Sequence, residues 1–403
     1  MKKVMILGAG TYQVPLIKKV QSMGMYAIVV SIPGDYKGFD CADKVYKVNT
    51  TDKEKVLEIA KSECIDAIVT TGTDVAVSTV GYVSSELGIH GLPIEASYLA
   101  TDKLKMKEAF AKAGVSTAEF VKVTNFEELQ SGFNKIGAPA ILKIVDKSGS
   151  RGITKIDSND QLKEAFEYAK SASDAGYYIL EKFISATEIG VDAFVQNGEI
   201  KLIVPHEKLV YHTKRTGIPM GHTVPMDMSS ELLGKINSEM TKAIRALGLD
   251  DCAVNADVFI SDNGEINIIE VAGRCGATGI AEVISESLGI DYYGAILTNA
   301  LGEKVDFHGC KSSKYSASML IFSEKTGTLD EINYTYNGKK YINEELRIPG
   351  EITVTLDYSK GKNVLAVEDG TDRLGMVVIA SNSKEELEQR MKDFSAGLNV
   401  VVD

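Results

Sequence analysis

The sequence predicts a mixed fold: a parallel-sheet α/β domain at the N-terminus, an α+β core, and a small β-rich C-terminal domain. Three observations predict it. At 403 residues the chain exceeds what one ordinary hydrophobic core serves. Over the first hundred residues short apolar strands alternate with helical stretches, the pattern of parallel βαβ units. From about Ser312 the pattern turns β-rich, with runs at 315–322, 351–356 and 375–380 before a last helix at 384–394. The expected divisions are 1–97, 98–310 and 311–403.

Composition narrows the function classes. An apolar fraction of 44% with 25% charged residues is that of a soluble globular protein. A net charge of −12 without a basic cluster argues against nucleic acid as a partner, because that binding rests on Lys and Arg neutralising phosphates. No apolar run approaches the length of a bilayer span, so no membrane partner is expected. The Met-Lys-Lys start mimics the tip of a signal peptide, but Gln13 and Pro15 arrive before an adequate apolar region. Cysteines 41, 64, 252, 275 and 310 are odd in number and lack metal-ligand spacing, which points to a reducing cytoplasm.

Within the first domain, the strand Lys3–Leu7 is followed by the turn Gly8-Ala-Gly10 and a helical stretch holding Leu16, Ile17 and Val20. Such a turn could hold a dinucleotide pyrophosphate at a helix N-terminus. Here the third fingerprint glycine is Gln13, and the second strand ends in Ser31-Ile-Pro33 without an acidic residue for the ribose. The glycines are read as a tight strand–helix turn, and a dehydrogenase stays a minor rival. Ligands of open α/β sheets gather beyond the carboxyl ends of strands. That places Thr73 and Asp74, after the strand 67–70, among the candidate substrate contacts.

The middle of the chain carries the charged motifs. Thr101-Asp-Lys103 opens a helix that Gly114 ends. Lys143 sits on an apolar strand entering the turn Asp146-Lys-Ser148-Gly149-Ser150-Arg-Gly152, where backbone N–H groups could nest a phosphate. Tyr177–Ile184 reads as a buried strand holding Glu181, with Glu188 beyond it. Asn255–Arg274 reads as a hairpin about Asn263-Gly264. A two-residue loop would set Asp262 against Glu265, Phe259 against Ile268, Asp257 against Glu270 and Asn255 against Ala272. Like charges facing each other on a ladder are destabilising, and a hard divalent cation would relieve them. The alternative is a three-residue loop with a bulge at Gly264, which slips the register and moves Glu270 to the other face.

In this order the motifs resemble the ATP-grasp superfamily, specifically its carboxylate–amine ligases of the L-amino-acid ligase and carbamoyl-phosphate-synthase-like kind. The resemblance implies a core of two lobes, the small one at about 115–184. It implies that Lys103 and Lys143 contact ATP phosphates, with the loop containing Ser148, Gly149 and Ser150 closing over them. It implies adenine against Glu181, Lys182, Phe183 and Ile184, and ribose on Glu188. It makes Asp257 and Glu270 ligands of Mg²⁺ (or Mn²⁺), and Arg274 the group that stabilises the transferring phosphoryl, with Lys143 beside it in catalysis. The family motif Glu-x-Asn-x-Arg has Ala272 at its Asn position here. Asn255, opposite Ala272, is the expected replacement ligand.

The stretch 205–225 reads as a cationic loop that could cover an anionic substrate through Lys214 and Arg215; its histidines 206, 212 and 222 fit no zinc pattern. Residues 229–247 read as an amphipathic core helix stopped by Gly248. After Arg274, Gly276 leads toward the helix at 280–288, whose N-terminus favours anions. Cys275 is read as a small spacer. No chemistry is indicated in the last hundred residues.

The function expected is an ATP- and Mg²⁺-dependent ligase. It would activate a small carboxylate as an acyl phosphate for attack by an amine, releasing ADP and phosphate. The rivals are a carboxylase or formate-using transferase of the same superfamily and a nucleotide sensor, the latter motivated by Ala272. A homodimer is the expected assembly.

Overall fold

A computed structural model describes the chain except for residues 146–151, 213–216, 369 and 371. The expected loop residues Ser148, Gly149, Ser150, Lys214 and Arg215 therefore lie outside the described residues. The first domain is a four-stranded parallel sheet of β1 (Lys3–Leu7), β2 (Tyr26–Ser31), β3 (Lys44–Lys47) and β4 (Ala67–Val69), in the order β3-β2-β1-β4. Helices cross between these strands, as parallel pairing requires. The Gly8-Ala-Gly10 turn is filled from within: a Cβ on Gly8 would lie 2.9 Å from Cδ of Gln13. Gln13 Nε2 donates to the Thr71 carbonyl and ties the two strand-end loops together.

A small lobe follows, an antiparallel sheet of β5 (Phe120–Val123), β6 (Ala140–Ile144), β7 (Ile153–Ile156) and β8 (Tyr178–Lys182) in the order β5-β8-β6-β7. It has its own apolar core, with Leu129, Phe133 and Leu162 from two helices packed on Leu142 and Leu180.

The large sheet has nine strands. β9 (Thr187–Gln196), β10 (Glu199–His212), β11 (Gly217–Val224), β12 (Cys252–Ile260), β13 (Ile266–Ala272) and β14 (Tyr315–Ile321) run in the order β13-β12-β9-β10-β11-β14. The strands Gly375–Ser381, Ile352–Leu356 and Leu346–Ile348 continue it on the far side of β14. The C-terminal strands thus extend the core's sheet across residue 310 and do not form only a sheet of their own. One apolar cluster joins Val4, Ile6 and Val29 of the first domain to Ile280, Ile284 and Leu297 of the core, so the first domain packs on the helices that follow Arg274.

Two expectations are corrected. The stretch 205–225 is largely strand, not loop: β10 and β11 form a long hairpin with a register shift at Leu209/Val210 opposite Pro219. A bulge is where a strand tolerates proline. The inward side chains here include His206, Lys208 and His222, so hydrophobic alternation gave no warning. Second, the β12–β13 loop is not two residues long. Ser261 N–H donates to Glu265 O at 3.0 Å and Gly264 N–H to Ser261 O at 2.8 Å, a three-residue loop with Gly264 at φ +76°. Phe259 accordingly pairs with Asn267, not Ile268. A second irregularity between Asp257 and Val258 skips Ile269 and restores the register, so Asp257 does face Glu270 and Asn255 does face Ala272.

Candidate active site

The site assembles where the small lobe, the β12–β13 hairpin and the loop after β4 meet. One cavity is lined from these three sides by Asp74, Lys103, Val145, Asp257, Glu270 and Arg274, among others. Lys103 is the first residue of its helix because Asp102 caps it, its carboxylate accepting from the N–H groups of Leu104 and Lys105 at 2.9 and 3.1 Å. Tyr177 of the small lobe donates to the same carboxylate at 2.8 Å. Lys103 Nζ lies 3.3 Å from Glu270. Burial works against its charge, but Glu270 and Asp74 outweigh that and hold its pKa above the usual lysine value.

Lys143 is the last residue but one of β6 and reaches Glu181 at 2.9 Å. Lys107, one turn beyond Lys103, approaches the same carboxylate at 3.4 Å and donates to Thr117 at 2.5 Å. Desolvation pulls the Lys107 ammonium down to about 8. Glu181 is buried; burial raises its pKa, and Lys143 with Lys107 outweighs that and lowers it. The Glu181 side chain is thus an anchor between two lysines, leaving backbone for any contact with a base. Lys182 Nζ donates to the carbonyls of Ile136 and Ala138 at 3.3 Å. Phe183 N–H donates to Pro139 O at 3.1 Å, and Lys155 stands over the Phe183 ring at 4.8 Å.

Across the cavity, Asp257 and Glu270 face each other on β12 and β13. Burial pushes Asp257 up, Lys208 pulls it down, and the carboxylates of Glu270 and Glu188 push it up again. Glu270, with Lys103 as its main partner, is held down at about 2. One carboxylate is strained by the other, the environment a divalent cation relieves. Among the described residues no three His, Cys, Asp or Glu side chains gather round one metal position. This donor set suits Mg²⁺ held by one or two carboxylates, with phosphate and water completing its shell. The Lys208 side chain, only 3% exposed, bridges Glu188 and Asp257, at 2.8 Å from the latter.

Arg274 grips Asp74 through Nε at 2.8 Å and Asn255 Oδ1 through Nη1 at 2.9 Å. The expected replacement ligand Asn255 thus has its carbonyl turned to Arg274. The loop holding Thr73 is tied to this segment, since Gly72 N–H donates to Cys275 O at 3.1 Å and Thr71 bridges Cys275. Gly276 N–H donates to Asp192 at 3.2 Å. Cys275 is buried, and desolvation raises its thiol well above the usual range, which suits a spacer and not a nucleophile.

A second cleft opens beside Gly276, between the loop after β1 and the C-terminal strands, lined by Tyr12, Lys37, Glu282, Asp357 and Arg373. Arg373 Nε donates to Asp357 at 2.5 Å, and its guanidinium carbon lies 4.5 Å from the Tyr12 ring centre. The sequence reading missed Lys107, Lys208, Asp192 and this arginine. Only Lys107 left a signal, its position four residues after Lys103 on one helix face.

Two anchored lysines, facing carboxylates and a clamped arginine make an arrangement of charges suited to nucleotide phosphates and a divalent cation. Residues 136–282 match the ATP-grasp domain family. It is 27% identical over 300 residues to alanine–anticapsin ligase of Bacillus subtilis (strain 168), covering 66% of this chain and 62% of that protein. It is 26% identical over 261 residues to an L-arginine-specific L-amino acid ligase of Bacillus subtilis, covering 62% of this chain and 63% of that one. The chain therefore spans less than two thirds of these relatives' length. Over the whole of both chains it superposes on phosphoribosylglycinamide synthetase from Anaerococcus prevotii with a TM-score of 0.82 and 28% identity.

Proposed function

We propose that the protein is an ATP- and Mg²⁺-dependent carboxylate–amine ligase. The observation that carries the reading is the convergence of Lys103, Asp257, Glu270 and Arg274 on one cavity. Phosphoryl transfer asks mainly for positioning and charge neutralisation, and these groups provide both. Lys103 and Lys143 bind the phosphates, and Asp257 and Glu270 would hold Mg²⁺ (or Mn²⁺), which would supply neutralisation of phosphate charge. A substrate carboxylate oxygen, placed near Thr73, Asp74 and Gly276, attacks the terminal phosphorus as the bond to ADP breaks. Arg274 steadies the transferring group. The amine nitrogen then attacks the acyl carbon, phosphate leaves, and the nitrogen loses its proton.

The amino-acid ligases among the relatives support an amine acceptor, and the cleft at Arg373 is where the second substrate is expected. All five cysteines are free thiols, as a reducing compartment would keep them. Among the described residues no helix is long and apolar enough to cross a membrane. Incubation with ATP, Mg²⁺ and pooled amino acids, assayed for phosphate and ADP, tests the reading. Substrate-dependent phosphate supports a ligase. Tight ATP binding without turnover would replace it with a sensor.

A further inference from the structure

We propose that Asp192, fully buried and outside the cavity, is a positioning residue that fixes Arg274 through Asn255. The inference rests on the nucleotide reading above. Asp192 lies on β9 with no exposed surface. One of its oxygens accepts from Asn255 Nδ2 at 2.8 Å and faces His206 Nε2 at 3.2 Å; the other accepts from Gly276 N–H at 3.2 Å. Asn255 Oδ1 in turn accepts from Arg274 Nη1 at 2.9 Å.

Polarity makes this line of contacts directional. An arginine only donates and an aspartate carboxylate only accepts, while an asparagine amide can do either, depending on which way it is turned. With Asp192 on one side, Asn255 must turn its NH₂ inward and its carbonyl outward, where the guanidinium needs an acceptor. His206 then donates from Nε2. The groups are closely packed, and polarity sets which way the amide turns. A Cβ on Gly276 would come within 2.9 Å of Asn255 Nδ2, and one on Gly190 within 1.9 Å of the His206 ring. Asn255 is therefore a link between a buried anion and Arg274, where the sequence suggested a metal ligand. Together with Asp74 it holds the guanidinium from two sides.

Replacing Asp192→Asn keeps the volume but removes the charge and leaves one oxygen and one NH₂ where three donors, Asn255 Nδ2, His206 Nε2 and Gly276 N–H, need acceptors. Whichever way the new amide turns, donor meets donor: at Gly276, beside Arg274, or at Asn255, whose amide must then flip and present NH₂ to Arg274. The double variant Asp192→Asn/Asn255→Asp restores the polarity with the charge moved one link outward. The test is calorimetric binding of Mg·ADP with and without aluminium fluoride, a mimic of the transferring phosphoryl. We expect Asp192→Asn to bind Mg·ADP within about twofold of wild type. Its tightening by aluminium fluoride should fall about ten- to hundredfold, the range of a lost hydrogen bond to a charged group. The double variant should recover most of it. Unchanged tightening in Asp192→Asn, or no recovery in the double variant, overturns the relay. A raised Mg²⁺ midpoint with unaltered tightening also overturns it, since Asn255 would then serve the metal. If the single variant fails to fold, recovery or loss in the double variant alone decides. A wild-type protein that binds no Mg·ADP removes the nucleotide reading, and the relay with it.

Discussion

Asp257 faces Glu270 across β12 and β13 because two irregularities cancel. The three-residue loop at Asp262-Asn263-Gly264 shifts the register by one, and the skipped Ile269 shifts it back. A slip of one residue turns every later side chain to the other face of a strand. Inserting one alanine between Ile268 and Ile269 adds a residue beyond the one that the bulge absorbs, and should therefore move Glu270 off the cavity and abolish Mg²⁺-dependent nucleotide binding in a chain that still folds, as followed by calorimetry and circular dichroism. Retained Mg²⁺ dependence would mean that the facing carboxylates are not the metal site.

That hairpin shows what local sequence can and cannot disclose. Asn-Gly announced the turn, and the facing carboxylates were inferred, yet the loop length was wrong and the bulge left no trace in residue type. Lys103 was legible because its cap, Asp102, precedes it directly. Lys208 and His206 were not, because they occupy the inward positions of β10 where apolar residues would have marked a strand. The joining of the last strands to the core sheet passes through two paired positions, Thr223 with Ala317 and Val224 with Ser316. Such distant pairing has no local signature.

Lys103→Met and Lys143→Met should each weaken ATP binding at least about tenfold, the worth of a charge-assisted contact, without unfolding the chain. In Lys143→Met the buried Glu181 keeps Lys107 as its partner, so only a modest fall in Tm is expected. Normal ATP affinity in both variants would remove the lysines from the phosphate site.

Lys107 predicts a pH signature. Its folded pKa, about 8, lies below the ordinary lysine value of 10.5. Between those two values the unfolded chain binds the extra proton, so this group's contribution to stability rises as pH rises from 8 to 10.5. Lys107→Met should remove that rise, on the order of 3 kcal/mol across the window. Thermal melts of wild type and variant from pH 7 to 10.5 would read the difference. Parallel profiles would show that Lys107 is not desolvated in solution.

Gly264 takes φ +76° in the hairpin loop, a conformation that L side chains resist. Gly264→Ala should lower stability by about 1 kcal/mol and leave nucleotide affinity unchanged, because the loop lies beyond the bulge that sets the carboxylates. A large loss of Mg²⁺ affinity in this variant would show that the loop, and not the skipped Ile269, fixes their register.

The central claim is that a substrate carboxylate becomes an acyl phosphate in the cavity of Lys103, Asp257, Glu270 and Arg274. Once a carboxylic acid substrate is identified, its carboxylate oxygens can be labelled with heavy isotope and the products examined by mass spectrometry. Acyl-phosphate chemistry predicts one labelled oxygen in the released phosphate, with ADP as the nucleotide product. Label in AMP, or unlabelled phosphate beside a completed amide, would contradict it.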